Sequence, residues 1–337
     1  MPRNLSARRL ARTARASGPG RLRAVFSGSG GELDLTKLAI PAFTVTMAIE
    51  VLALRRRPTV DPRADLGPQV SNVERPTGYE LKDTLASLAM GSGMLAIGLA
   101  SERFLAPLHA RLGHSLPARA ARLGNRRGAV IGALVAWDFL YYWQHRWGHE
   151  VRLLWASHVN HHSSERYNLS TALRQTWTGA LTDWVHWPMF LLGYTPGQVA
   201  RAGQLNLLYQ YWVHTEIVDR MPGWFEHLFN TPSHHRVHHG SNREYLDRNY
   251  GGIVILWDRL FGTFTPEGER IRYGLTTNID SFNPMTIAFH EYAAIWRDVR
   301  SAGSVRQALG YVVGPPGWAP SVSSFGSLPA NPLRASA

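Results

Sequence analysis

The chain has no cysteine in its 337 residues. That single absence removes disulfides, thiolate metal ligands and cysteine-bound iron–sulfur clusters, so electrons for any redox chemistry must come from outside the chain. Lysine is nearly missing too: of 36 basic residues only Lys37 and Lys82 are lysine. The formal charge of +12 is therefore carried almost wholly by arginine, whose guanidinium grips phosphate bidentately and suits anionic lipid head groups. No nucleic acid is expected as a partner, because the basic residues form no recognisable binding motif and the densest run is terminal. Residues 1 to 30 hold seven arginines and no acid. They lack the long apolar core of a secretory signal, and residues 1–36 read as a disordered, surface-seeking tail.

Long apolar runs are scarce as well. The mean hydropathy of −0.19 would suit a soluble all-α protein with buried helices. Several segments argue otherwise. Leu38 to Leu54 is apolar apart from Glu50 and ends at Arg55-Arg56-Arg57, as a span does at a basic, cytoplasmic border. Thr84 to Ser101 is 18 residues without a charge, close to what crosses ~30 Å of hydrocarbon. Gly128 to Trp143 is broken only by Asp138, and Trp184 to Ala200 and Ala202 to Val213 are two further apolar stretches. Tyr141, Tyr142, Trp143, Trp184, Trp187, Tyr209, Tyr211 and Trp212 crowd the segment ends, as an interfacial aromatic belt does. The expectation is an all-α, multi-pass integral membrane protein. Residues 37–127 would hold N-terminal membrane segments and a linker, 128–300 a histidine-bearing domain, and 301–337 a Gly-, Pro- and Ser-rich, loosely ordered tail. Before that tail, Met285 to Val299 is amphipathic.

What the sequence does have is histidine. Twelve of its fifteen lie between His145 and His239, and eight form three clusters: His145-x3-His149, His158-x2-His161-His162 and His235-x2-His238-His239. Residues three and four apart share a helix face, so each cluster can aim two or three imidazoles at one point. Neutral imidazole suits iron, copper, zinc or nickel, and eight nitrogens exceed the about four that one tetrahedral zinc takes. Two metals are the economical reading. A His-Glu-x-x-His zinc protease fails at once, because Arg146 follows His145. A lone pair at this spacing is more often surface or core; three clusters within 95 residues reverse that. Asn230-Thr231-Pro232-Ser233 reads as a helix start with Thr231 as N-cap and Pro232 at the first position, and Gly240 closes the turn after His239. Asp138, two turns before His145, reads as an acceptor for a ligand.

These clusters, set beside hydrophobic segments, resemble the fatty acid hydroxylase and sterol desaturase superfamily. Within it, the chain is similar to the alkylglycerol monooxygenase branch and its bacterial relatives. The motifs that carry this are Tyr-Tyr-Trp-x-His-Arg at 141–146, Asn-Leu-Ser-Thr-Ala-Leu-Arg-Gln at 168–175, Asn-Leu-Leu-Tyr-Gln at 206–210 and Asn-Thr-Pro-Ser-His-His-Arg-Val-His-His-Gly at 230–240. The resemblance implies an integral membrane helical bundle with a cytosolic, histidine-rich di-iron cap that uses O2 on a lipid C–H bond. His145, His149, His158, His161, His162, His235, His238 and His239 would hold two iron ions, and His214, in Trp-Val-His-Thr-Glu, stands where relatives have a further ligand. His234 lacks the x2-His-His spacing of His235. Glu150 and Tyr250 match positions of the alkylglycerol monooxygenase pattern and would serve catalysis or a tetrahydrobiopterin. The donor would be a reduced pterin, or a ferredoxin or cytochrome with its reductase, and the location a bacterial cell membrane. Sterol C-5 desaturation and fatty acid hydroxylation are alternatives within the superfamily, and a non-catalytic metal-binding membrane protein is the alternative outside it.

Overall fold

The computed structural model describes residues 34–56, 78–114 and 127–320. The expected Arg-rich tail up to residue 33, most of the Arg55 to Gly78 loop and the tail from 321 lie outside the described residues. Among them every regular element is helical, apart from one isolated bridge between Phe229 and Val254. In chain order these are α1 (Leu35–Arg56), α2 (Leu81–His114), α3 (Arg127–Glu150), α4 (Arg152–His162), α5 (Pro188–Leu191), α6 (Pro196–Val213), α7 (Gly223–Leu228), α8 (Pro232–His238), α9 (Leu256–Phe261), α10 (Pro284–Ser301) and α11 (Val305–Val313). Short 3-10 turns occupy Thr171–Leu173, Gly179–Leu181 and Asp183–His186.

Among the described residues two helices, α1 and the Leu81–Ser101 part of α2, are long and apolar enough to cross a membrane. Burial in α1 is inverted relative to a soluble core helix: Val45 and Ile49 are 58% and 59% exposed while Glu50 is 2% exposed. An apolar helix that shows its side chains outward and hides its one acid is facing lipid. α1, α3 and α6 run in the same direction. Leu35 N–H donates to Gln204 and Thr46 pairs with Tyr211, while Asn206 and Gln210 of α6 meet Asp138 and Tyr141 of α3. Gly203 lets the Trp137 ring within 3.1 Å of where a Cβ would stand, so any larger residue would push α3 and α6 apart.

The stretch from Trp184 to Ala200 is not one segment. It divides into a 3-10 turn, α5 and the start of α6. The break is local: Gly193 takes φ +95, and Thr195 caps α6 reciprocally with Gln198 ahead of Pro196. The amphipathic stretch at 285–299 is helix α10 as its pattern predicts, and α11 falls where a loosely ordered tail was expected.

Each candidate span sends one buried carboxylate into the loops that carry the histidines. Glu50 accepts from Tyr79 Oη at 2.5 Å, from Leu169 N–H at 2.8 Å and from the hydroxyl of Thr215, next to His214. Asp83 meets Arg174 at 2.5 Å and accepts from Ser164 at 2.8 Å, and Arg174 also donates to Ser163 at 2.9 Å. Removing one partner of a buried ion pair strands the other charge, at a cost of ~3–5 kcal/mol. Asp83→Ala should therefore lower stability by about that amount. An unaltered unfolding midpoint in detergent would show that Arg174 finds water instead.

Candidate metal centre

Four helices deliver nine imidazoles to one end of α1, α3 and α6. His145 and His149 come from the last two turns of α3, and His158, His161 and His162 from α4. His214 caps the C-terminus of α6; His235 and His238 lie in α8, and His239 caps it. α8 starts at Pro232 after an extended Thr231, as the sequence predicts, although the Thr231 hydroxyl pairs with Ser233 and caps no backbone N–H. Gly240 N–H closes the turn on Val237 O at 2.9 Å.

The nine divide into two groups, and within each the ligand nitrogens all lie within 4.8 Å of one another. One holds His145, His149, His158, His162 and His238; the other holds His161, His214, His235 and His239. Successive residues on a helix point about 100° apart, so each His-x2-His-His cluster feeds both groups. α4 sends His158 and His162 to the first and His161 to the second; α8 sends His238 to the first and His235 and His239 to the second.

The spacing inside the groups is that of ligands around a cation. Nε2 atoms stand 3.0 Å apart between His145 and His158, 3.1 Å between His158 and His162, and 3.1 Å between His162 and His238. In the second group the separations are 3.2 Å for His161 and His214 and 3.0 Å for His214 and His235. Two nitrogens each about 2.1 Å from one metal and at right angles are about 3.0 Å apart. A proton does not explain the contact between His161 and His214. His161 Nδ1 donates to Arg174 O at 3.3 Å and His214 Nδ1 to Gln210 O at 2.7 Å. Their Nε2 atoms therefore face each other as bare lone pairs, an arrangement that needs a cation between them. His149 Nε2 and His239 Nε2 are buried with no hydrogen-bond partner, so the donor set fits metal ions.

Electrostatics keep the rings neutral and ready to coordinate. Burial, and then repulsion from neighbouring imidazoles, hold His145 down at about 3 and push His158, His161, His162, His235, His238 and His239 well below the ordinary histidine range. Burial alone lowers His214 to about 4. Neither group contains a carboxylate.

The ring orientations are set from behind. His145 Nδ1 donates to Tyr250 O at 2.8 Å and His238 Nδ1 to Arg248 O at 2.9 Å, so a single loop aims two rings of the first group. That loop is held in an uncommon shape, with Asp247 at φ +59 and Asn249 at φ +57. Asn249 is fully buried. Its amide donates to His234 O at 3.0 Å and Thr265 O at 2.8 Å and accepts from Thr265 N–H at 2.8 Å. Asp258 accepts from the N–H groups of Tyr250 at 2.8 Å and Gly251 at 2.7 Å. Neither Asn249 nor Asp258 stands out in the sequence, although Asp247-Arg248-Asn249 is the kind of run that tolerates a left-handed backbone. Asn249→Gly keeps the backbone shape and strands buried partners at ~1–3 kcal/mol each. Metal content should fall with the five-histidine group losing first, and full occupancy in the variant would show that the loop holds without its amide.

The other named residues fall at three distances from the centre. Tyr250 is fully buried, its ring 5.3 Å from His149 and 5.8 Å from His145, and its hydroxyl has no partner. Burial raises its pKa well above the ordinary tyrosine value, so it stays a phenol. Glu150 lies outside both groups, partly exposed and bound to Arg146 at 2.8 Å. Asp138 touches no histidine. It accepts from Asn206 at 2.6 Å, Ile253 N–H at 2.7 Å and Trp257 Nε1 at 2.9 Å, and so ties α3 to α6 and to the segment after Tyr250. Gly252 is required there, because a Cβ would meet both Asn206 and Asp138 oxygens at 2.8 Å. His234 faces away from both groups and pairs with Glu226 at 2.9 Å.

Residues 130–263 match the fatty acid hydroxylase family, and all nine histidines fall inside that span. Human alkylglycerol monooxygenase is 45% identical over 194 residues, which is 58% of this chain and 43% of that protein. The Caenorhabditis elegans alkylglycerol monooxygenase is 40% identical over 202 residues, 55% of this chain and 39% of the relative. Ornithine lipid hydroxylase OlsE of Rhizobium tropici is 30% identical over 160 residues, 44% of this chain and 46% of the relative. The chain thus spans less than half the length of these relatives. No solved structure matches it.

Proposed function

We propose that this chain, whose residues 130–263 match the fatty acid hydroxylase family, is a membrane-bound di-iron oxygenase that hydroxylates a C–H bond of a lipid, with an ether lipid as the substrate. The observation that carries the reading is the division of nine imidazoles, eight buried and His158 half-buried, into two carboxylate-free groups, with each His-x2-His-His cluster serving both. Two ferrous ions held there would supply electrons to O2 and an oxidant for an unactivated C–H bond.

The chain's own residues prepare that chemistry. Backbone carbonyls of Arg174, Gln210, Arg248 and Tyr250 fix the ring tautomers from behind. Burial excludes water, and the Tyr250 phenol stands beside the first group as a proton-bearing donor. Glu50 near the end of α1 and Asp83 near the start of α2 both reach the histidine loops, so the site lies at the Arg55-Arg56 end of α1. Positive-inside bias supports the cytoplasmic side for that face, in this reading that of a bacterial cell membrane. Glu150, at the rim beside Arg146, is the docking point for a tetrahydropterin donor.

The test is mass spectrometry of lipids from membranes supplied with an ether lipid, labelled O2 and tetrahydropterin. One labelled oxygen should appear in the product. A loss of two hydrogens without label would make it a desaturase. Turnover sustained by a ferredoxin or cytochrome alone would remove the pterin, and bound iron without oxygen consumption would remove the enzyme.

A further inference from the structure

The metal centre makes no use of a continuous apolar surface on the two C-terminal helices. On α10, Met285, Phe289 and Trp296 are 57%, 37% and 62% exposed and project within about 40° of one another around the helix axis. On α11, Val305, Leu309 and Val313 follow at every fourth position and are also exposed. The charges are sorted around this surface. Both acids of α10 turn inward: Glu291 and Asp298 each meet Arg152 at 2.7 Å. Arg297, Arg300 and Arg306 are left facing out beside the apolar stripe, with Arg300 over the Trp296 ring at 5.8 Å.

α10 is joined to a candidate span. Its buried residues Ile287 and Ala288 pack against Ala86 and Met90 of α2, one turn beyond the Asp83 that binds the histidine loops. α10 thus starts where α2 leaves the polar end of the molecule. An amphipathic helix with tryptophan and exposed arginines at that level has the composition of one lying in the head-group plane.

We propose that α10 and α11 form an interfacial anchor, their apolar faces in the head-group region of the bilayer and their arginines on anionic lipid phosphates. The anchor bears directly on the site, because Arg152, the first residue of α4, is clamped by α10 and donates its backbone N–H to Gly314 O at 2.9 Å, just past α11. α4 carries His158, His161 and His162. The proposal rests on the membrane reading of α1 and α2 and is independent of the metal chemistry.

A cysteine-free chain makes the test direct. Trp296→Cys or Leu309→Cys is introduced into the full chain, labelled with a nitroxide, and reconstituted into phosphatidylcholine vesicles with or without phosphatidylglycerol. Val45→Cys in α1 and Arg243→Cys on an exposed loop serve as references for hydrocarbon and water. At positions 296 and 309, collision with O2 should exceed collision with a water-soluble nickel chelate several-fold relative to Arg243→Cys, and the excess should grow with phosphatidylglycerol. Combining Arg297→Glu, Arg300→Glu and Arg306→Glu should abolish that growth. Chelate access at both positions equal to that of Arg243→Cys overturns the anchor, as does dipolar broadening that disappears on dilution with unlabelled chain, which would mark a second copy as the occupant. Lipid dependence that survives the three reversals overturns the arginine contact. If Val45→Cys itself reads as aqueous, the membrane reading has failed rather than the anchor alone.

Discussion

His238→Ala is expected to abolish lipid oxidation and to cut bound metal about in half, with the chain still inserted in membranes. His238 serves the five-histidine group, its Nε2 3.1 Å from His162 Nε2. Its loss leaves His161, His214, His235 and His239 untouched, so the second ion should stay. His161→Ala should do the converse, emptying the four-histidine group. Even loss of an outer partner costs about 10–100-fold in affinity or activity, so a ligand's removal should exceed ~100-fold in turnover. The control is His234→Ala, one residue from His235. His234 points to Glu226 and belongs to neither group, so this variant should keep both metals and lose only stability. Metal analysis on reduced, anaerobic protein reads all three. Two ions retained in His238→Ala would mean that the group tolerates four ligands, and metal loss in His234→Ala would mean that the two faces of α8 are assigned the wrong way round.

The eight clustered histidines stood out in the sequence through their helical spacing, and the structure gathers all eight with His214 into two groups. How they divide was not legible. Whether His161 joins His158 or His214 depends on how α4 is rotated against α6 and α8, and no periodicity within α4 encodes that rotation. Asp138 shows a second limit. Its spacing from His145 is compatible with contact, yet four donors from α6 and from the segment at 253–257 claim its oxygens first. The carbonyls that orient the rings are backbone atoms, and sequence identity does not report on them; only the Asp247-Arg248-Asn249 run, in the loop supplying two of them, left a trace in residue type. Glu50 reads in the sequence as the one interruption of an apolar segment and Asp83 lies just ahead of another, and both are the tethers between the candidate spans and the site.

Stripping the metal should leave a fold that acid destroys. In the folded chain His145 titrates at about 3 and His214 at about 4, against an ordinary value of 6.5 in the unfolded chain, and six more of the nine lie well below it. Because the folded values are depressed, the unfolded chain binds more protons in acid. The contribution of these neutral rings is complete above the unfolded value and is lost as pH falls from 6.5 toward 4 and 3. Each tenfold loss of proton affinity on folding corresponds to about 1.4 kcal/mol, so one such ring already represents a few kcal/mol, comparable with the ~5–15 kcal/mol that holds a domain together. Bound metal opposes the loss, since protons must displace it before the rings can charge. The metal-free protein should therefore melt far lower at about pH 5 than at about pH 7.5, whereas protein saturated with ferrous iron should hold its midpoint until protons outcompete the ion. Excess iron should shift the onset of acid unfolding downward in pH. A metal-free melting temperature that stays flat over this range would mean that the nine rings are hydrated in solution, and the closed, cation-demanding arrangement of His161 against His214 would have to be abandoned.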